Sequence, residues 1–141
     1  VNTQLRPSGQ DRRGLLVIDH GSRRDAANAD IVAIAAELAR LRPDTIVAHA
    51  HMELAAPDLA TALAELVAQG ATDIHVLPYF LANGRHCRED IPRIAHEAAA
   101  THPGVTVTVA PALGPHPALA LLLLARANLV PGTPAPGPSP S

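Results

Sequence analysis

At 141 residues, 48% of them hydrophobic, the chain holds enough apolar material for one core and leaves no room for a second. Eleven basic residues against thirteen acidic ones give a formal net charge of −2, which excludes a protein built mainly to neutralise nucleic-acid phosphates. Cys87 is the sole cysteine, so one chain can form neither an internal disulfide nor a cluster held by several thiolates, and a reducing, cytoplasmic setting is expected.

The polar stretch 1–13 is read as a disordered N-terminal segment. The domain runs from 14 to 128 and opens with Leu15-Leu16-Val17-Ile18, the continuous apolar run of a strand covered on both faces. Ser22 and Asp25 form a capping pair for a helix over 23–41, in which Ile31, Ile34, Leu38 and Leu41 recur at spacings of three and four. Pro43-Asp44 ends that helix, and a second strand over 45–48 leads to His49, His51 and Glu53.

Pro57 is placed in the first turn of a helix over 57–69, with Gly70 as its C-terminal stop. A third strand, 73–77, is followed by a loop over 78–86 containing the Asn83-Gly84 turn signal. The next helix spans 87–101, with a start as late as Ile91 because Pro92 disfavours helical geometry just before it. A fourth strand at 105–109 and a helix at 117–128 complete the domain, and the Pro-rich stretch 129–141 is read as a disordered tail. The longest apolar run, 118–125, is far below the roughly 20 residues of a spanning helix, so no membrane partner is expected. Strands alternating with helices predict an α/β fold: an open four-stranded parallel sheet flanked by helices, doubly wound.

Ligands of such sheets bind beyond the carboxyl ends of the strands, where loops and helix N-termini converge. The residues found there are His20 after the first strand, Glu53 after the second and Arg85-His86 after the third. Two imidazoles and a carboxylate from three loops suit a divalent transition metal and leave coordination positions open for exchange. Each has an ordinary alternative: a lone histidine after a strand is more often a capping group, and Glu53 before a helix simply favours its dipole. His51 is a candidate to orient Glu53 by a hydrogen bond, whereas His49, His75, His96, His102 and His116 are given structural or surface roles. Ser22, Arg23, Arg24, Arg85 and Arg88 are expected on the same rim, where guanidinium groups would bind a carboxylate-bearing ligand.

Three segments carry a resemblance: Asp19 to Arg23 (DHGSR), Ala50 to Pro57 (AHMELAAP) and Pro78 to Pro92 (PYFLANGRHCREDIP). Together they are similar to the short CbiX/SirB class of sirohydrochlorin chelatases, and their wording is nearest the iron-inserting plant branch. The resemblance implies a class II chelatase fold in which His20, Glu53 and His86 hold and transfer the metal. It implies insertion of Fe2+, Co2+ or Ni2+ into sirohydrochlorin, toward siroheme, cobalamin or a nickel tetrapyrrole, without a nucleotide. The additional cysteines of the plant branch are missing, so no iron–sulfur cluster is expected. Longer relatives have two tandem halves, and one half implies a homodimer.

Two rival readings stand beside it. A metal or tetrapyrrole carrier without turnover would present the same residues. A histidine phosphatase also has His-Gly after its first strand, but Asp19 stands where that class has arginine and would repel phosphate.

Overall fold

The computed structural model describes residues 12–132. The strands β1 (Arg12–Asp19), β2 (Ile46–His51), β3 (Ala71–Pro78) and β4 (Thr106–Val109) alternate with the helices α1 (Asp25–Leu41), α2 (Leu59–Ala68), α3 (Ile91–Ala99) and α4 (Pro117–Arg126). All neighbouring strands pair in parallel, in the order β2-β1-β3-β4. The expected four-stranded parallel α/β sheet is therefore present. The chain first winds outward from β1 to β2 and then returns to the other side of β1, so the reversal of strand order falls between β1 and β3. A crevice opens at that point because the connections leave the sheet in opposite directions.

One face of the sheet carries the main core. Leu16 and Ile18 of β1 and Ile74 and Val76 of β3 alternate onto it and pack with Leu59, Leu63 and Leu66 of α2 and Ile91 and Ala95 of α3. Val17 points to the opposite face, where Ile34 and Leu38 of α1 lie. Both strand pairings run to the C-terminal rim: Asp19 is level with His51, and Ile18 with Pro78. Loops from three strands thus leave the sheet at one height.

Several boundaries differ from the sequence expectations. β1 begins at Arg12, so Arg12 and Arg13 belong to the sheet, level with Ala71 and Asp73, rather than to an N-terminal segment. The expectations for 1–11 and for 133–141 lie outside the described residues. Ser22 and Asp25 do not cap α1: its N-cap position is Arg24, without a side-chain cap, and Asn28 instead clasps Ser22, accepting its N–H at 2.9 Å and donating to its carbonyl at 2.7 Å. Pro57 is not in the first turn of α2. Asp58 is the N-cap, its carboxylate accepting the Thr61 N–H at 2.8 Å, while the Pro57 carbonyl accepts the His51 N–H.

Between β3 and α3 the chain forms a π-helical turn, His86–Asp90, in which the Ile91 N–H donates five residues back to His86. Pro92, near the start of α3, has no N–H for the Arg88 carbonyl, and the wider turn absorbs that missing donor. Gly70, at φ +100°, ends α2 as expected.

Candidate metal centre

At the C-terminal rim of the sheet, His20 lies next to both Glu53 and His86. His20 is the first residue past β1, and its Nε2 lies 3.2 Å from Oε1 of Glu53. The His86 ring stands edge-on to it, with centroids 5.4 Å apart and planes at 76°. Donors about 2.1 Å from a common ion are about 3.0 Å apart at 90° and about 3.4 Å apart at the tetrahedral angle. The observed 3.2 Å falls between these values.

The local backbone explains this proximity. Met52 N–H donates to the Asp19 carbonyl at 2.9 Å and Glu53 N–H to the His20 carbonyl at 3.2 Å, so the β1–β2 ladder continues past the strands and carries Glu53 to His20. Gly21 makes the close approach feasible. It adopts φ +92°, and a Cβ there would sit 1.9 Å from the Glu53 carbonyl oxygen. Leu54, at φ 69°, then turns the chain away toward α2.

The ring nitrogens are sorted by their second contacts. His86 Nδ1 lies 3.0 Å from Asp90 Oδ2, one helical turn on, and His20 Nδ1 is 3.4 Å from the Gly21 carbonyl. With Nδ1–H as the donor in each, Nε2 is left with its lone pair, as in histidines oriented for a metal. His20 Nε2 and Glu53 Oε1 then face one another as two acceptors, which a proton or a cation must bridge. Among the described residues no three donors already converge on a single ion. The His20–Glu53 pair is in place, and His86, half exposed, must turn its side chain to complete a shell.

His51 does not orient Glu53. Its Nδ1 donates to Asp19 Oδ1 at 2.6 Å, with the imidazole only 3% exposed and the carboxylate 18%. This buried pair braces the ends of β1 and β2 immediately before both site residues. Sequence reasoning assigned His51 the wrong partner and missed Asp90, whose four-residue spacing from His86 was a legible signal.

The arginines are on the rim side but not in contact with the three donors. Arg85 pairs with Glu89 at 3.1 Å and is 82% exposed. Arg23 lines a cavity of about 420 Å³ with Ser22, Asn28, His49 and His51. Arg24 and Arg88 are exposed, at the N-cap of α1 and on the π-helical turn. Cys87 is buried, and burial pushes its thiol up, so it offers no ready thiolate beside His86.

Comparison with known proteins identifies the family. The CbiX family model matches residues 14–129. The chloroplastic sirohydrochlorin ferrochelatase of Arabidopsis thaliana is 38% identical over 106 residues, 75% of this chain and 47% of that protein. A sirohydrochlorin cobaltochelatase of Methanococcoides burtonii is 36% identical over 125 residues, 83% of this chain and 95% of that protein. Among solved structures, SirB from Bacillus subtilis with Fe3+ superposes with a TM-score of 0.74 at 25% identity, over 85% of this chain and 48% of that one. The chain thus spans about half the length of the Arabidopsis and Bacillus proteins and nearly all of the Methanococcoides one. Sheet order, crevice and matched length agree: this chain belongs to the CbiX family.

Proposed function

We propose that this chain is a sirohydrochlorin chelatase that inserts Fe2+ or Co2+, with Ni2+ as a further candidate, into the tetrapyrrole for siroheme or cobalamin synthesis. The observation that carries the reading is the 3.2 Å approach of His20 and Glu53 beside His86, at the strand-order reversal of a chain matched by the CbiX family model. Relatives named for iron and for cobalt insertion support both metals.

In this reading His20, Glu53 and His86 receive the metal as substrate and release it by ligand exchange. Their open positions admit the pyrrole nitrogens while protein donors still hold the ion. Ser22, Arg23, Arg24, Arg85 and Arg88 bind the peripheral carboxylates, Arg85 exchanging Glu89 for a substrate carboxylate. The two pyrrole protons pass to imidazoles freed as the metal leaves, since imidazole accepts protons near neutral pH. Glu53 carries charge that offsets the ion while it is protein-bound. The chain works in the cytoplasm as a homodimer; no helix among the described residues is long and apolar enough to cross a membrane.

An anaerobic assay of purified protein with sirohydrochlorin and each of Fe2+, Co2+ and Ni2+, followed by the absorption of the metallated product, tests the reading. His20→Ala and His86→Ala abolish accelerated insertion while circular dichroism is unchanged, and Arg85→Ala chiefly raises KM. Binding without acceleration by the unaltered chain identifies a carrier instead, and full activity of the double histidine variant refutes the ligand assignment.

A further inference from the structure

Among the described residues two non-glycines adopt positive φ, Asn128 at 59° and Leu54 at 69°. Asn128 lies just past α4, where asparagine is an ordinary helix stop. Leucine has no comparable way to offset this conformation, because its Cβ crowds the neighbouring carbonyl and its side chain makes no local hydrogen bond. Glycine or asparagine would make the same turn away from Glu53 with less strain.

Nor does the Leu54 side chain offset the strain by packing. It is 52% exposed and stands outside the core that Met52, two residues earlier, packs against. It lines instead the cavity of about 420 Å³ shared with Ser22, Arg23 and His49. Strain together with exposed apolar surface serves neither folding nor solubility, and such outliers gather where a ligand is clamped.

The position names the ligand surface. Leu54 follows Glu53 directly, its Cα about 3.8 Å from the Glu53 Cα. A flat macrocycle centred on an ion between Glu53 and His20 extends beyond Glu53 in every direction and overlies Leu54, while its carboxylates reach Ser22 and Arg23 around it. Tyr79, 39% exposed, lines the crevice beside His20. Because β1 lies between β2 and β3, the loops carrying Leu54 and Tyr79 flank the one carrying His20. Resting on the tetrapyrrole reading above, we infer that Leu54 is a substrate-binding residue whose side chain packs on the apolar face of the macrocycle and seats it over the metal.

The test uses two variants of the full chain. Leu54→Asn keeps the left-handed turn with a residue that tolerates it and removes the apolar contact, whereas Leu54→Met keeps an apolar, adaptable side chain. Calorimetric titration with sirohydrochlorin and, separately, with Co2+ reads the two ligands apart. Leu54→Asn weakens sirohydrochlorin binding at least about tenfold, the loss expected when a leucine side chain no longer leaves water on binding. Its Co2+ affinity is unchanged and its urea midpoint rises as the strain is relieved, while Leu54→Met recovers most of the sirohydrochlorin affinity. Unchanged sirohydrochlorin affinity in Leu54→Asn overturns the inference. So does a joint loss of Co2+ affinity, which makes Leu54 a support for Glu53, and so does a lowered urea midpoint, which assigns the leucine to folding. An unaltered chain that binds Co2+ but no sirohydrochlorin overturns the tetrapyrrole reading, and this inference with it.

Discussion

Gly21→Ala is the substitution whose consequences follow most directly from the geometry. The new Cβ would lie 1.9 Å from the Glu53 carbonyl oxygen, where real Cβ contacts essentially never fall below 3.0 Å, and 3.1 Å from the His51 Cβ. The neighbour is backbone, so the segment after β2 must retreat by about 1 Å or more to reach an ordinary C···O separation of about 3.3 Å. That movement breaks the Glu53 N–H to His20 carbonyl bond, now 3.2 Å long, at about 1 kcal/mol. Holding alanine at φ +92° adds about 1–2 kcal/mol. The expected loss is therefore about 2–3 kcal/mol of stability. Retreat of Glu53 also takes its carboxylate out of the range in which it and His20 share an ion, and Co2+ affinity should fall by about 10–100-fold. The chain has no tryptophan, so urea unfolding is followed by circular dichroism and metal binding by calorimetric titration with Co2+. Unchanged midpoint and Co2+ affinity in this variant would refute the argument that close packing at Gly21 sets the donor spacing.

His51→Ala removes the brace on Asp19 and should cost about 1–3 kcal/mol in urea unfolding, since a largely buried carboxylate loses its donor. Metal affinity should fall with it and recover in part in His51→Gln, which restores a donor; equal affinities in all three proteins would contradict a positioning role. Asp58→Ala should cost about 1 kcal/mol through loss of the α2 cap. The Thr61 N–H holds the Asp58 carboxyl below its usual range, so the carboxylate's contribution is complete above the ordinary value and is lost as pH falls through the lowered one. Asp58→Asn should keep most of the cap while removing that acid-limb dependence, as measured by unfolding midpoints between neutral and acid pH.

The order of strands and helices was legible because buried strands and amphipathic helices leave different apolar periods in the chain. The rim positions His20, Glu53 and His86 were legible from strand ends alone, since parallel sheets gather their loops on one side. Partnership was harder to read. Asp19 and His51 are 32 residues apart and meet only because β1 and β2 pair in that register. Period-two alternation put His51 and Glu53 on one face, but Glu53 lies beyond the strand end, where alternation no longer applies. The capping pair at Ser22 and Asp25 failed for a related reason: Asn28 reaches back across the loop and takes the Ser22 backbone groups first.

Local patterns by themselves determined the fold class, the rim and the residue types offered there, because periodicity and strand ends are properties of short segments. Tertiary structure alone decided the 3.2 Å donor spacing, the Asp19–His51 brace and the exposure of α4. Each depends on strand register or on what a surface finds opposite it, and contacts between distant segments leave no period in the chain.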